Sequence, residues 1–208
     1  MSQTYIIGVC GASCSGKTTI CHKIIEKINS ILGTEQRFVT VLSQDSYYFG
    51  GDSKINYDIP DSVDFNLMLS QIQDLKNGKE IDSPIYDYST FMRQKETKKI
   101  YPTKIILIEG ILIFSCEKLR NLCNLKVFVS ASPELRYQRR IQRDIRERGY
   151  TEEEVKERYF RDVLPASRYY VDPSNEFSDI VLMNNIPGKF VGLDILLDHL
   201  EKKLKEIQ

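Results

Sequence analysis

The chain has 208 residues, with 29 basic side chains balancing 29 acidic ones and 41% of residues hydrophobic. That suffices for one α/β domain with a large core, and a formal charge of zero leaves no global field to draw nucleic acid or a membrane surface. Five cysteines without a C-x-x-C pair, and two histidines (His22, His199) in amphipathic helical patterns, speak against a disulfide frame, a zinc site and Ser–His chemistry.

Those cysteines fit reduced thiols in a cytoplasmic protein. The Met1 end carries no basic stretch leading into a long apolar core, so no signal peptide is expected. The longest apolar run, Ile105 to Phe114, is interrupted by Glu109 and is too short to span a bilayer.

Tyr5 to Cys10 is an apolar run that predicts a strand. Gly11-Ala12-Ser13-Cys14-Ser15-Gly16-Lys17-Thr18 follows with the spacing G-x-x-x-x-G-K-[ST] of a phosphate-binding loop. Ile20, Ile24, Ile28 and Ile31 then share one face of a helix. In that strand–loop–helix setting several backbone N–H groups converge on one oxyanion at the positive end of the helix. Lys17 reaches the terminal phosphates and the Thr18 hydroxyl holds Mg²⁺. A nucleoside triphosphate is therefore the first ligand implied. Cys14 is either a small residue at a free loop position or a thiol activated by nearby positive charge.

Gly33 is expected to close the first helix, and Arg37 to Leu42 reads as a second strand running into Ser43-Gln44-Asp45-Ser46-Tyr47-Tyr48. Loops at the carboxyl ends of parallel strands carry the chemistry of α/β sheets. Asp45 is thus a candidate general base, or else the cap of the next turn. Phe49 to Pro60 is turn-like. Asp64 to Lys76 is a helix with one apolar stripe, ended near Gly78. Ile81 to Tyr86 and Thr97 to Tyr101 are extended pieces around Asp87 to Lys95, read as a projecting hairpin. Tyr57-Asp58 and Tyr86-Asp87-Tyr88 pair rings with hydroxyl acceptors, either to seat a base and a ribose or as hairpin packing.

Lys104 to Glu109 is an apolar strand suited to the centre of a covered sheet. Glu109 at its end is a carboxylate for Mg²⁺ or its water, or a turn residue before Gly110. Leu125 to Val129 and Ile180 to Met183 are further strands. Pro133 opens a helix to about Arg148, Thr151 opens the next with a capping-box pattern, and Val191 to Ile207 is an amphipathic closing helix. Arg136, Arg139, Arg140, Arg143, Arg146 and Arg148 crowd the Pro133 helix, interleaved with Glu134, Asp144 and Glu147. That face is a phosphate lid, a solvated salt-bridged surface or a nucleic-acid surface. Strands alternating with helices predict an α/β fold, a doubly wound parallel sheet, as one domain over 1–208. The hairpin would be an insertion at about 81–101 and the lid would occupy about 136–165. The guanine-reading pattern N-K-x-D is absent, which weakens a GTPase reading.

Taken in order, these blocks resemble the uridine–cytidine kinase family, within the larger group that includes phosphoribulokinase and bacterial pantothenate kinase. The likeness runs from Ile6 to about Ile180. It rests on the phosphate loop, Leu42 to Tyr48, Asn56-Tyr57-Asp58 with Pro60-Asp61, Pro84 to Tyr88, Ile108 to Leu112 and Arg139 to Gly149. It implies a P-loop NTPase-type kinase that moves the γ-phosphate of ATP to the 5′-hydroxyl of uridine or cytidine in pyrimidine salvage. By position, Gly11 through Thr18 together with Thr19 would bind ATP, and Thr18, Asp45 and Glu109 would hold Mg²⁺. Asp45 would also be the base. On the substrate side the likeness places Tyr48, Asp58 at the ribose hydroxyls, Tyr86 along the pyrimidine, Phe91 at the base, and Arg140, Arg143 and Arg148 as cations. A homotetramer is implied, with no nucleic acid or membrane partner.

Four positions depart from the family pattern. Phe91 stands where the family has a base-reading His, Tyr150 replaces an Arg, Arg158 a Gln, and Ile59 the His of Asp-His-Pro. All four touch the acceptor side. A kinase for another small alcohol, or an ATP-binding switch without transfer, are the alternatives.

Overall fold

The phosphate-loop strand lies in the middle of the central sheet, with two strands on either side. A computed structural model describes residues 4–32, 38–186 and 191–207. Its central sheet is fully parallel, in the order β2 (Val39–Ser43), β5 (Ile105–Gly110), β1 (Tyr5–Cys10), β6 (Leu125–Ser130), β7 (Ile180–Met183). Strands alternate their side chains across the sheet, and β1 shows the division. Ile7 and Val9 face α1 (Lys17–Leu32) and α7 (Val191–Ile207), in a layer with Ile20, Ile24, Leu107, Leu196 and Leu200. Ile6 and Cys10 face the other layer, with Ile106, Ile108, Phe114 and the stripe Met68, Ile72, Leu75 of α2 (Phe65–Lys76). Both faces are covered, which is why β5 reads as an unbroken apolar run.

The carboxyl ends of β1, β2, β5 and β7 meet at one edge, where the strand order reverses around β1, the usual place for a ligand in an open α/β sheet. The start of β2 expected at Arg37, and the helix end expected at Gly33, lie outside the described residues.

The hairpin exists, but its second strand is longer than expected. β3 is Ile81–Asp87 and β4 is Met92–Ile100, so the turn spans only residues 88–91. β4 is charged and largely exposed, so no apolar alternation announces it. Cross-strand pairing defines it instead: Asp82 lies opposite Lys99, and Lys99 reaches Glu80 at 2.7 Å. A short helix, α3 (Glu117–Leu122), has too few residues to show a period and was not anticipated. α4 (Pro133–Arg148) and α5 (Glu152–Arg158) lie where Pro133 and the capping-box pattern put them. Ser132 accepts from Leu135 N–H, and Thr151 and Glu154 form the capping box. Beyond α5 the chain continues through π-helical Tyr159–Val163, α6 (Leu164–Ala166), π-helical Ser167–Val171 and a 3₁₀ segment, Asp172–Phe177. Among the described residues, no helix is long and apolar enough to cross a membrane.

Candidate active site

The loop between β1 and α1 is shaped by two glycines. A Cβ on Gly11 would lie 2.2 Å from the Val129 carbonyl, and one on Gly16 would lie 2.1 Å from Asn184 Nδ2. Cys14 holds a φ of 62°, uncommon for a residue with a side chain and of a kind that collects at ligand sites. Asn184, just past β7, donates to the Ser15 carbonyl at 2.8 Å, and Arg139 donates to the Asn184 carbonyl at 3.1 Å. Lys17 is 8% exposed, and its one hydrogen bond goes to the Ala12 carbonyl at 3.2 Å. A buried ammonium with no carboxylate in salt-bridge reach among the described residues is costly unless an anion arrives.

Two carboxylates stand across from it. Glu109, at the end of β5, accepts from Ser43 Oγ at 2.5 Å. Asp45 lies in the 3₁₀ turn Gln44–Tyr47 that follows β2, seated on Gln44, whose Oε1 accepts from Leu112 N–H at 2.7 Å. Burial and the charge of Asp45 push Glu109 above the usual carboxylate range, with Lys17 and Ser43 pulling the other way. Two facing carboxylates with the Thr18 hydroxyl on the same cavity are a hard-oxygen set that fits Mg²⁺, which takes one or two carboxylates alongside phosphate oxygens.

At the far end the cavity is walled by aromatic rings. Tyr48, Tyr57 and Tyr86 meet edge to face at 5.3 to 6.0 Å, and Tyr57 stacks on Phe91 at 5.9 Å. Arg158 lies 5.2 Å from the Phe91 ring and donates to the Tyr150 hydroxyl at 3.2 Å. Asp58 sits among these groups. Burial raises its carboxyl above the ordinary value, opposed first by Arg140 and reinforced by Asp45 and Asp162. Tyr48 rises well above the usual phenol value through burial and the charges of Asp45 and Asp58.

The arginines of α4 divide by role. Arg136 turns from the cavity to Ser167 Oγ at 3.0 Å and Asp172 at 3.1 Å, tying α4 to the π-helical segment. Arg140, Arg143 and Arg148 converge on Asp144 at 3.2, 2.8 and 3.5 Å. Asp144 is 1% exposed, a buried hub rather than part of a solvated, salt-bridged face. Three cations on one carboxylate leave a surplus of positive charge facing the cavity. Arg140 also donates to Ser13 Oγ at 3.1 Å, linking this helix to the phosphate loop.

One cavity of about 390 Å³ therefore gathers Ser13, Cys14, Gly16, Lys17 and Thr18 with Asp45, Glu109, Tyr48, Asp58, Tyr86, Phe91, Arg140, Arg143 and Arg148. Gly11, Ala12 and Ser15 are buried outside its lining, and Thr19 is exposed outside it. Sequence reasoning did not find Asn184, whose signal was its place at the carboxyl end of a strand. It also missed the Asp144 hub and the contact between Tyr88 and Asp45.

Residues 6–188 match the phosphoribulokinase/uridine kinase family. The chain is 37% identical over 211 residues to uridine-cytidine kinase A of Dictyostelium discoideum, covering 99% of this chain and 41% of that protein. It is 35% identical over 203 residues to a uridine kinase of Lactococcus lactis, covering 94% of this chain and 95% of the other. Among solved structures it is similar to D-glycerate 3-kinase from Cryptococcus neoformans, with a TM-score of 0.65 at 16% identity over 92% of this chain and 89% of that one. At that identity the structural likeness speaks for the fold alone.

Proposed function

Because the chain belongs to the phosphoribulokinase/uridine kinase family, we propose that it transfers the γ-phosphate of ATP to the 5′-hydroxyl of uridine or cytidine, a step of pyrimidine salvage. The observation that carries this reading is the buried Lys17 ammonium, which shares one cavity with Asp45 and a wall of tyrosines. ATP binds with its phosphates on the amides of Gly11 to Thr18, and Thr19 extends that stretch. Lys17 contacts the terminal phosphates, and the surplus charge of Arg140, Arg143 and Arg148 stabilises the transferring group. The helical segment at about 136–165 acts as a lid that brings these guanidinium groups in.

On the acceptor side Asp58 takes hydrogen bonds from the ribose hydroxyls, while Tyr48, Tyr86 and Phe91 pack along the base. Asp45 accepts the 5′-hydroxyl proton as the oxygen attacks. Thr18, Asp45 and Glu109 would hold Mg²⁺, which neutralises phosphate charge when bound. A cytoplasmic location and a homotetramer belong to this proposal and rest on the resemblance; sedimentation of the purified chain checks the second.

A second reading keeps the phosphate chemistry and changes the acceptor. Phe91 offers no hydrogen bond to a base, and Arg158 has no carboxylate in salt-bridge reach among the described residues, which suits a small anionic alcohol. Purified protein with ATP, Mg²⁺ and a panel of nucleosides and small hydroxy acids separates the two. Uridine or cytidine 5′-monophosphate is the expected product. Phosphorylation of a hydroxy acid alone moves the assignment to the second reading, and ATP binding with transfer to no acceptor defeats both.

A further inference from the structure

The Tyr88 hydroxyl donates to Asp45 Oδ2 at 2.5 Å, at the short end of the range for a hydroxyl on a carboxylate. Tyr88 is the first residue beyond β3, at the hairpin tip. The tip is fixed locally, since the Asp87 carboxylate accepts from Ser89 N–H at 2.8 Å and from Ser89 Oγ at 2.7 Å. Two side chains hold the Tyr88 ring. Tyr86 meets it edge to face at 5.3 Å, and the Arg148 guanidinium lies 4.4 Å from its centroid. Arg148 belongs in turn to the Asp144 hub, with Nε 3.5 Å from Oδ1. One phenol thus joins the turn after β2, the hairpin and the arginine helix.

We propose that Tyr88 is a positioning residue for phosphoryl transfer, holding Asp45 by Oδ2 so that Oδ1 is turned to receive the acceptor's proton. The inference rests on Asp45 acting as the base. A free carboxylate at the end of a rotatable side chain samples orientations in which neither oxygen lies in line with the attacking hydroxyl. A hydrogen bond to one oxygen removes most of them, and small errors in such placement carry large losses in rate. The clamp by Arg148 makes the orientation depend on where the arginine helix sits, so the base is set when that helix closes over the phosphates. Tyr88 lines the same cavity, and its role there is exerted through Asp45.

The test is Tyr88→Phe, which keeps the ring, its contact with Arg148 and the fold, and removes only the O–H. It is assayed with ATP, Mg²⁺ and uridine or cytidine beside wild type, Asp45→Asn and the double variant. kcat is expected to fall about 10- to 100-fold with both KM values within about twofold, since hydrogen bonds to charged groups carry effects of that size. In the Asp45→Asn background the same change is expected to cost nothing further, because the residue works through that carboxylate. A kcat within about twofold of wild type, a loss expressed only in KM, or losses that multiply in the double variant would each overturn the proposal. If wild type phosphorylates neither nucleoside, the proposed function fails and this inference falls with it. An active wild type with an unmoved Tyr88→Phe removes this inference alone.

Discussion

Asp58 shows how a single side chain can be placed at a cost to folding. Its carboxyl is raised by burial, with Arg140 and Arg158 too few to offset burial, Asp45 and Asp162 together. A raised acid favours the folded state most fully below its unfolded value, and that contribution is lost as pH climbs through the raised folded value. At neutral pH the native protein therefore bears the cost of placing Asp58 where its charged form is disfavoured. Asp58→Asn is expected to raise Tm at pH 7 and leave it unchanged at pH 3, while acceptor KM rises about tenfold or more through the lost charged acceptor. Thermal melts at the two pH values with nucleoside kinetics check both halves; an Asn variant less stable at pH 7 contradicts the assignment. Lys17, Asp45 and Glu109 were legible in the sequence because motif spacing and strand ends define them locally. The partners that complete them were not: Asn184 reaches Ser15 across 169 residues and Tyr88 reaches Asp45 across 43, contacts that only the folded chain creates.

Among the elements, the hairpin has a faint signature in the sequence and a firm attachment in the structure. Arg93 of β4 donates to the carbonyls of Tyr48 at 2.7 Å and Tyr47 at 2.8 Å, and pairs with Asp64 at 3.3 Å. Asp64 also caps α2 by accepting from Leu67 N–H at 3.0 Å. One guanidinium thus aligns the hairpin, the turn bearing Asp45 and the start of α2. Arg93→Met is expected to destabilise the protein by about 1–3 kcal/mol and to raise acceptor KM while ATP affinity holds, as denaturant melts and nucleotide titration would show. Equal losses for both substrates would mean the hairpin does not serve the acceptor end alone. The longer helices were legible from Pro133 at a first turn, from the Thr151 capping box and from apolar stripes at a period of 3.6, whereas the caps at Asp64 and Ser132 came only with the fold. The first half of the polar β4 and the π-helical stretches after α5 were not legible, because side-chain pairing and ion pairs such as Arg136–Asp172 determine them rather than hydrophobic period.

At the scale of the whole molecule, a parallel sheet brings the ends of its five strands to one edge and divides the work among four of them. β1 supplies the phosphate cradle, β2 and β5 lead to the facing carboxylates, and β7 leads to the asparagine that braces the cradle. The alternation of strands and helices made that topology readable before any coordinate. The acceptor end was read less completely, because Phe91, Tyr150 and Arg158 gain their meaning only by packing together.

The central claim is that Asp45, facing the phosphate loop across one cavity, takes the proton of the acceptor hydroxyl. The measurement that tests it most directly is single-turnover transfer of labelled γ-phosphate from ATP to uridine and cytidine by wild type and Asp45→Asn. The account predicts nucleoside 5′-monophosphate from wild type, and a rate about 10² to 10⁴ lower in the variant at unchanged ATP affinity. An Asp45→Asn protein that transfers phosphate at the wild-type rate would contradict it.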